Sequence, residues 1–72
     1  MTTYFAWIVY ADQHGGDTEI DAQDAIDALG KALEWAKRGT YDAGNTVEVN
    51  VMPMRDPMGR LEPEVWATFV AA

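Results

Sequence analysis

The 72-residue chain has no cysteine and no serine, and a single histidine, His14. Without cysteine there is no disulfide staple and no thiolate metal site. Covalent catalysis needs an activated nucleophile and a base beside it, and those absences leave few side chains for either role. Basic residues are also scarce, five Lys and Arg against twelve Asp and Glu, for a formal net charge of −7. Nucleic-acid binding draws its affinity from Lys and Arg displacing counterions from phosphate. This balance argues against direct contact with DNA, RNA or an anionic membrane. The apolar segments are short, well under the roughly 20 residues of a membrane span. No basic-then-apolar leader opens the chain. Together these features predict a cytoplasmic protein.

With 49% hydrophobic residues, the composition suits a folded core. The length fits one domain, residues 1–72, near the lower limit for a chain that folds alone. The charge is unevenly placed. Residues 1–30 carry Asp12, Asp17, Glu19, Asp21, Asp24 and Asp27 with no Lys or Arg. Lys31, Lys37 and Arg38 come only afterwards. A string of acids without local basic partners is either a solubilising surface or a recognition patch, and a basic partner is its natural complement.

The stretch 21–38, DAQDAIDALGKALEWAKR, has the clearest pattern. Ala22, Ala25, Ile26, Leu29, Ala32, Leu33 and Ala36 recur at spacings of three and four, predicting one buried helix face. Asp21 is the expected N-cap, Ile20 and Ala25 the expected hydrophobic staple, and Gly39 a left-handed stop. Asp27 to Lys31 and Glu34 to Arg38 are i,i+4 pairs in the favourable order. On this phasing Trp35 and Ala28 lie on a flank of the helix.

Thr3 to Ala11, TYFAWIVYA, is β-branched and aromatic and predicts a first strand. Both faces are apolar: Phe5, Trp7 and Val9 on one, Tyr4, Ala6, Ile8 and Tyr10 on the other. That suits a central strand or one with a face kept for a partner. Residues 12–16, DQHGG, read as a turn, followed by a short strand over 17–21. Thr46 to Met52 alternates Val47, Val49 and Val51 with polar residues, a half-buried strand. Asp56-Pro57-Met58-Gly59 then has turn residues in type I order. Of two registers for the hairpin, a three-residue loop with a bulge at Gly59 pairs Asp56 with Arg60, Val51 with Val65, Val49 with Ala67 and Val47 with Phe69. It sets apolar against apolar throughout and is the expected register, with pairing broken where Pro53 meets Pro63.

The predicted fold is α+β, a single domain of order β-β-α-β-β: a four-stranded antiparallel sheet with one helix packed on one face and the first strand inside the sheet. No catalytic constellation emerges. His14 with Asp12 and Asp17 holds metal-ligand chemistry but reads more simply as a polar turn, so no metal, cofactor or enzymatic activity is expected. The candidate partner-binding residues are Asp12, Asp17, Glu19, Asp21, Asp24 and Asp27. Added to them are the aromatics Tyr4, Tyr10, Trp35 and Trp66, expected outside the core, where Trp and Tyr serve as interface anchors.

The run from Thr18 to Ala36, TEIDAQDAIDALGKALEWA, is a short strand leading into an alanine-rich amphipathic helix. It resembles a segment of small phage-encoded proteins. In size, charge and element order the chain is similar to acidic anti-CRISPR proteins; with the preceding aromatic strand it also resembles antitoxins of the HicB type. The first resemblance implies a protein-binding inhibitor. It would block a basic nucleic-acid-handling effector, carboxylates standing where phosphates would and aromatics anchoring the contact. Two alternatives remain: a module that self-associates through an exposed sheet face or edge, and an antitoxin-like subunit.

Overall fold

A computed structural model of the chain describes residues 1–11, 13–53 and 64–72. The strands are β1 (Thr2–Tyr10), β2 (Gln13–Ala22), β3 (Thr46–Pro53) and β4 (Val65–Val70), and the helix α1 is Ala25–Lys37. They form one antiparallel sheet of order β2-β1-β3-β4 with α1 against one face. The expected α+β fold with an internal first strand is the fold found.

The β3–β4 register matches the apolar pairing: Val51 with Val65, Val49 with Ala67 and Val47 with Phe69. Pro53 still pairs with Tyr4 of β1. The proposed Asp56–Arg60 and Pro53–Pro63 pairs fall outside the described residues.

β2 is longer than expected. Its pairing with β1 begins at Tyr10 opposite Gln13, and the register shifts between Ile8 and Val9. Gly15 and Gly16 therefore lie inside a bulged strand rather than in a turn. A Cβ on Gly15 would stand 2.9 Å from Ile8 Cγ2, and Gly16 has φ 136, so glycine fits both positions. The left-handed residue at the turn is Ala11, φ 52.

The helix starts later than its pattern suggests. Asp21 and Ala22 remain in β2, where they pair with Thr3 and Thr2. The N-cap is Asp24, with extended backbone and a carboxylate that accepts from the Asp27 amide at 2.8 Å. Asp27 in turn accepts from the Gln23 amide at 3.1 Å, closing a reciprocal cap. At the other end Gly39 donates to Ala36 O at 3.0 Å. Gly39 is not left-handed; a Cβ there would meet the Tyr41 hydroxyl at 2.7 Å, which is why glycine stands there.

The phase of the helix also differs. Ala28, Ala32 and Ala36 are the fully buried line, facing Val47, Val49 and Val51, while Ile26 is 71% exposed. Small side chains let the helix axis come close to a valine surface, so the alanine line sits at the centre. Leu29, Leu33 and Trp35 fill its flanks and pack on the core. Trp35 is thus half-buried against the core and no free anchor.

Candidate interaction surface

The pleat sends alternate side chains to opposite sides of the sheet. Tyr4, Ala6 and Ile8 of β1 point to the helix and are buried, as are Val47, Val49 and Val51 of β3. The opposite set lies on the face away from α1. Across one row the register reads Asp17, Trp7, Asn50, Trp66; across the next, Glu19, Phe5, Met52. A third holds His14, Val9, Glu48 and Thr68, and Asp21 pairs with Thr3 at one end.

This open face has two parts. From β1 across to β4 it is apolar and aromatic. Phe5 and Trp7 stack with ring centroids 5.6 Å apart, and Trp66, Met52 and Val70 are 60%, 44% and 65% exposed. Between the two indoles of the first row lies Asn50, only 5% exposed, whose amide donates to Glu48 at 3.2 Å. The β2 margin is acidic. Asp17, Glu19 and Asp21 alternate along it, about 7 Å apart at the strand repeat, and all three are exposed. Thr3 Oγ1 donates to Asp21 at 2.7 Å and His14 Nε2 lies 3.0 Å from Asp17.

The structure thus brings together only part of the expected patch. Asp17, Glu19 and Asp21 share a surface with Trp66. Asp24 and Asp27 stand apart, occupied in capping α1. The amide of Gln23, then the Lys31 ammonium at 3.4 Å, holds the Asp27 carboxyl below the usual carboxylate range despite some desolvation. Asp12 lies outside the described residues. Tyr4 is 2% exposed and belongs to the core, against expectation. Tyr10 is also on the helix side. Its hydroxyl accepts from the Asp42 amide at 2.7 Å and from Asn45 Nδ2 at 3.3 Å, tying the loop after α1 to the sheet. The two tyrosines were placed on the wrong side because both faces of β1 are apolar.

Phe5 and Trp7 are the members that sequence reasoning missed. The alternation already grouped Phe5 with Trp7; the small Ala6 on the other face was the available sign of where a helix packs.

Among the described residues, no group of three or more His, Asp and Glu is placed to hold a metal ion. Likewise, none of their helices is long and apolar enough to cross a membrane. Comparison with known families, with curated proteins and with solved structures finds no match. The surface itself is what bears on function.

Proposed function

We propose that the protein is a binding module that docks a basic protein surface onto the open face of its sheet. One observation carries this reading: an aromatic centre of Phe5, Trp7 and Trp66 bordered along β2 by Asp17, Glu19 and Asp21. Large exposed apolar patches rimmed by polar groups mark interaction sites, and Trp is favoured at their energetic centres. A Lys or Arg reaching over Trp7 or Trp66 gains a cation–π contact while its neighbours meet the carboxylates. The acids speed encounter and the aromatics hold the complex.

The narrower form of the proposal is inhibition of a nucleic-acid-handling effector by a phage-type protein. The carboxylate row of β2 would occupy a Lys/Arg-lined channel in place of phosphates. What supports it is the sign and placement of the charge, a net −7 with no Lys or Arg before residue 31.

Capture from bacterial lysate at low and high salt tests the reading. The wild-type chain should retain a basic protein that is released at high salt, because exposed charges are screened. Asp17→Asn/Glu19→Gln/Asp21→Asn should weaken retention at low salt, and Trp7→Ala/Trp66→Ala should abolish it. Exposed Glu34, on the far side of the molecule, provides the control as Glu34→Gln. Retention indifferent to both sets of replacements would refute the proposal.

A further inference from the structure

We propose that β4 is a homodimerisation edge, pairing antiparallel with β4 of a second copy about a two-fold axis through Thr68. The inference is independent of the open-face reading and starts from the backbone. Among the described residues β4 ends the sheet, with β3 on one side only. Ala71 donates to Asn45 O and accepts from the Gly44 amide, both at 2.9 Å, so both its backbone groups face the β3 side. Orientation alternates along a strand. Val65, Ala67 and Phe69 therefore turn their amides and carbonyls to β3, and Trp66, Thr68 and Val70 turn theirs outward.

A two-fold axis perpendicular to the sheet keeps each face on its own side, which requires paired residues to share a face. Centring on Thr68 sets Thr68 opposite Thr68, Trp66 opposite Val70 and Val70 opposite Trp66. Every outward amide and carbonyl of Trp66, Thr68 and Val70 then finds its counterpart. On the open face the same register lays each indole beside a valine. Trp66 and Val70, at 60% and 65%, are among the most exposed large apolar side chains of the molecule. Aromatic against β-branched and Thr against Thr are both favourable cross-strand pairs. Ala67 meets Phe69 on the helix face. Shifting the axis to Ala67 loses the Trp66–Val70 match and sets Val70 opposite Glu64, just outside the strand.

Charge favours this edge over the other. No charged residue lies between Val65 and Val70, and no proline, so β4 itself carries neither the charges nor the prolines that blunt an edge. The three carboxylates of β2 border the opposite end of the sheet, about 14 Å away at the usual strand spacing. Two chains of net −7 meeting through β4 keep those acids as far apart as the sheet allows. The product is an eight-stranded sheet whose open faces are continuous, with the two Trp66–Val70 pairs at the seam.

A six-residue edge buries an area at the low end of specific interfaces, so sedimentation equilibrium should span about 10 µM to 1 mM protein. The expected mass rises to twice the 8.0 kDa of one chain. Thr68→Lys sets like charges opposite each other at an exposed position and should hold the chain at one mass throughout, with an unchanged circular dichroism spectrum. Thr68→Cys fixes the register, because the chain has no other cysteine. Directly opposed hydrogen-bonded residues have Cα atoms about 5.5 Å apart, inside the disulfide range, so mild oxidation should give a covalent dimer. Trp66→Cys should not, since its two copies stand four residues apart, about 14 Å. A wild-type chain that stays monomeric, a dimer that survives Thr68→Lys, or faster cross-linking by Trp66→Cys than by Thr68→Cys would each overturn the proposal.

Discussion

The phase of the helix gives the sharpest test of the packing, because the sequence pattern puts Ile26 on the buried face beside Ala32 and the structure keeps only Ala32 there. Ala32 is 0% exposed, between the equally buried Ala28 and Ala36, over the valines of β3. Ile26, with the bulkier side chain, is 71% exposed. Ala32→Leu adds an isopropyl group where the helix stands closest to the sheet, and overpacking of this kind costs about 1–3 kcal/mol. A chain of this length has roughly 4–11 kcal/mol of total stability at the usual value per residue, so the loss is large. At about 2 kcal/mol it displaces Tm downward by about 8–16 °C. Ile26→Glu should do the opposite. It removes an exposed β-branched residue, installs a better helix former, and puts a negative charge in the first turn. Stability should stay within about 0.5 kcal/mol or rise slightly. Urea unfolding followed by circular dichroism, with the slope held constant, reads both. A costly Ile26→Glu beside a neutral Ala32→Leu would refute the phasing.

Asp24→Ala removes the N-cap that accepts from the Asp27 amide and should cost about 1 kcal/mol, while Asp24→Asn keeps most of it. Asp27 is held below the ordinary carboxylate value, so its contribution to stability is present above about pH 4 and is lost as pH falls through the lower folded value. Asp27→Asn should flatten that acid limb in a pH series of urea midpoints. Tyr41 behaves in the other sense. Burial, then the neighbouring Tyr10, raises its phenol above the ordinary value. The folded state thus keeps the proton longer, and the contribution is complete below about pH 10 and lost as pH rises through the raised value. Tyr41→Phe deletes the 2.7 Å bond from its hydroxyl to Ala36 O, costing about 1 kcal/mol at neutral pH, and should make the alkaline decline shallower.

The β3–β4 register was legible because only one register sets Val47, Val49 and Val51 against Phe69, Ala67 and Val65. Its period of two leaves no choice of face once one strand carries polar residues on the other. The central place of β1 followed from its doubly apolar alternation. The same property hid the orientation of β1: Tyr4 and Trp7 are equally plausible core residues until something fixes which side the helix takes. The helix start was hidden by repetition. Asp21 and Asp24 are both good caps, three residues apart, and Ala22 and Ala25 fit either frame. Pairing with Thr2 and Thr3 decides for the later one, because it satisfies the backbone of Asp21 and Ala22 in the sheet. The buried stripe differs from the pattern at Ile26, which is exposed, and at Ala28, which is buried instead of flanking, because closest approach to a β-branched surface selects the smallest residues.

The candidate surface follows from arithmetic of covering. One thirteen-residue helix shields one face of a four-stranded sheet. An antiparallel sheet with a solvated face ordinarily places polar residues there, and this chain does so at Thr46, Glu48 and Asn50 of β3. Phe5, Trp7 and Trp66 depart from that rule on the same face, and Trp66 is too exposed for its indole to be explained by the core. Trp66→Thr should therefore leave Tm within a few degrees, since replacement at such a site costs roughly 0.5 kcal/mol or less, and threonine suits a strand. Partner retention and self-association should both fall. If Trp66→Thr instead unfolded the domain with neither form of association ever detected, the indole would be a structural residue and the open face an outer layer of the core. If stability held while binding was lost, the cost of displaying tryptophan to water would have its compensation in the complex.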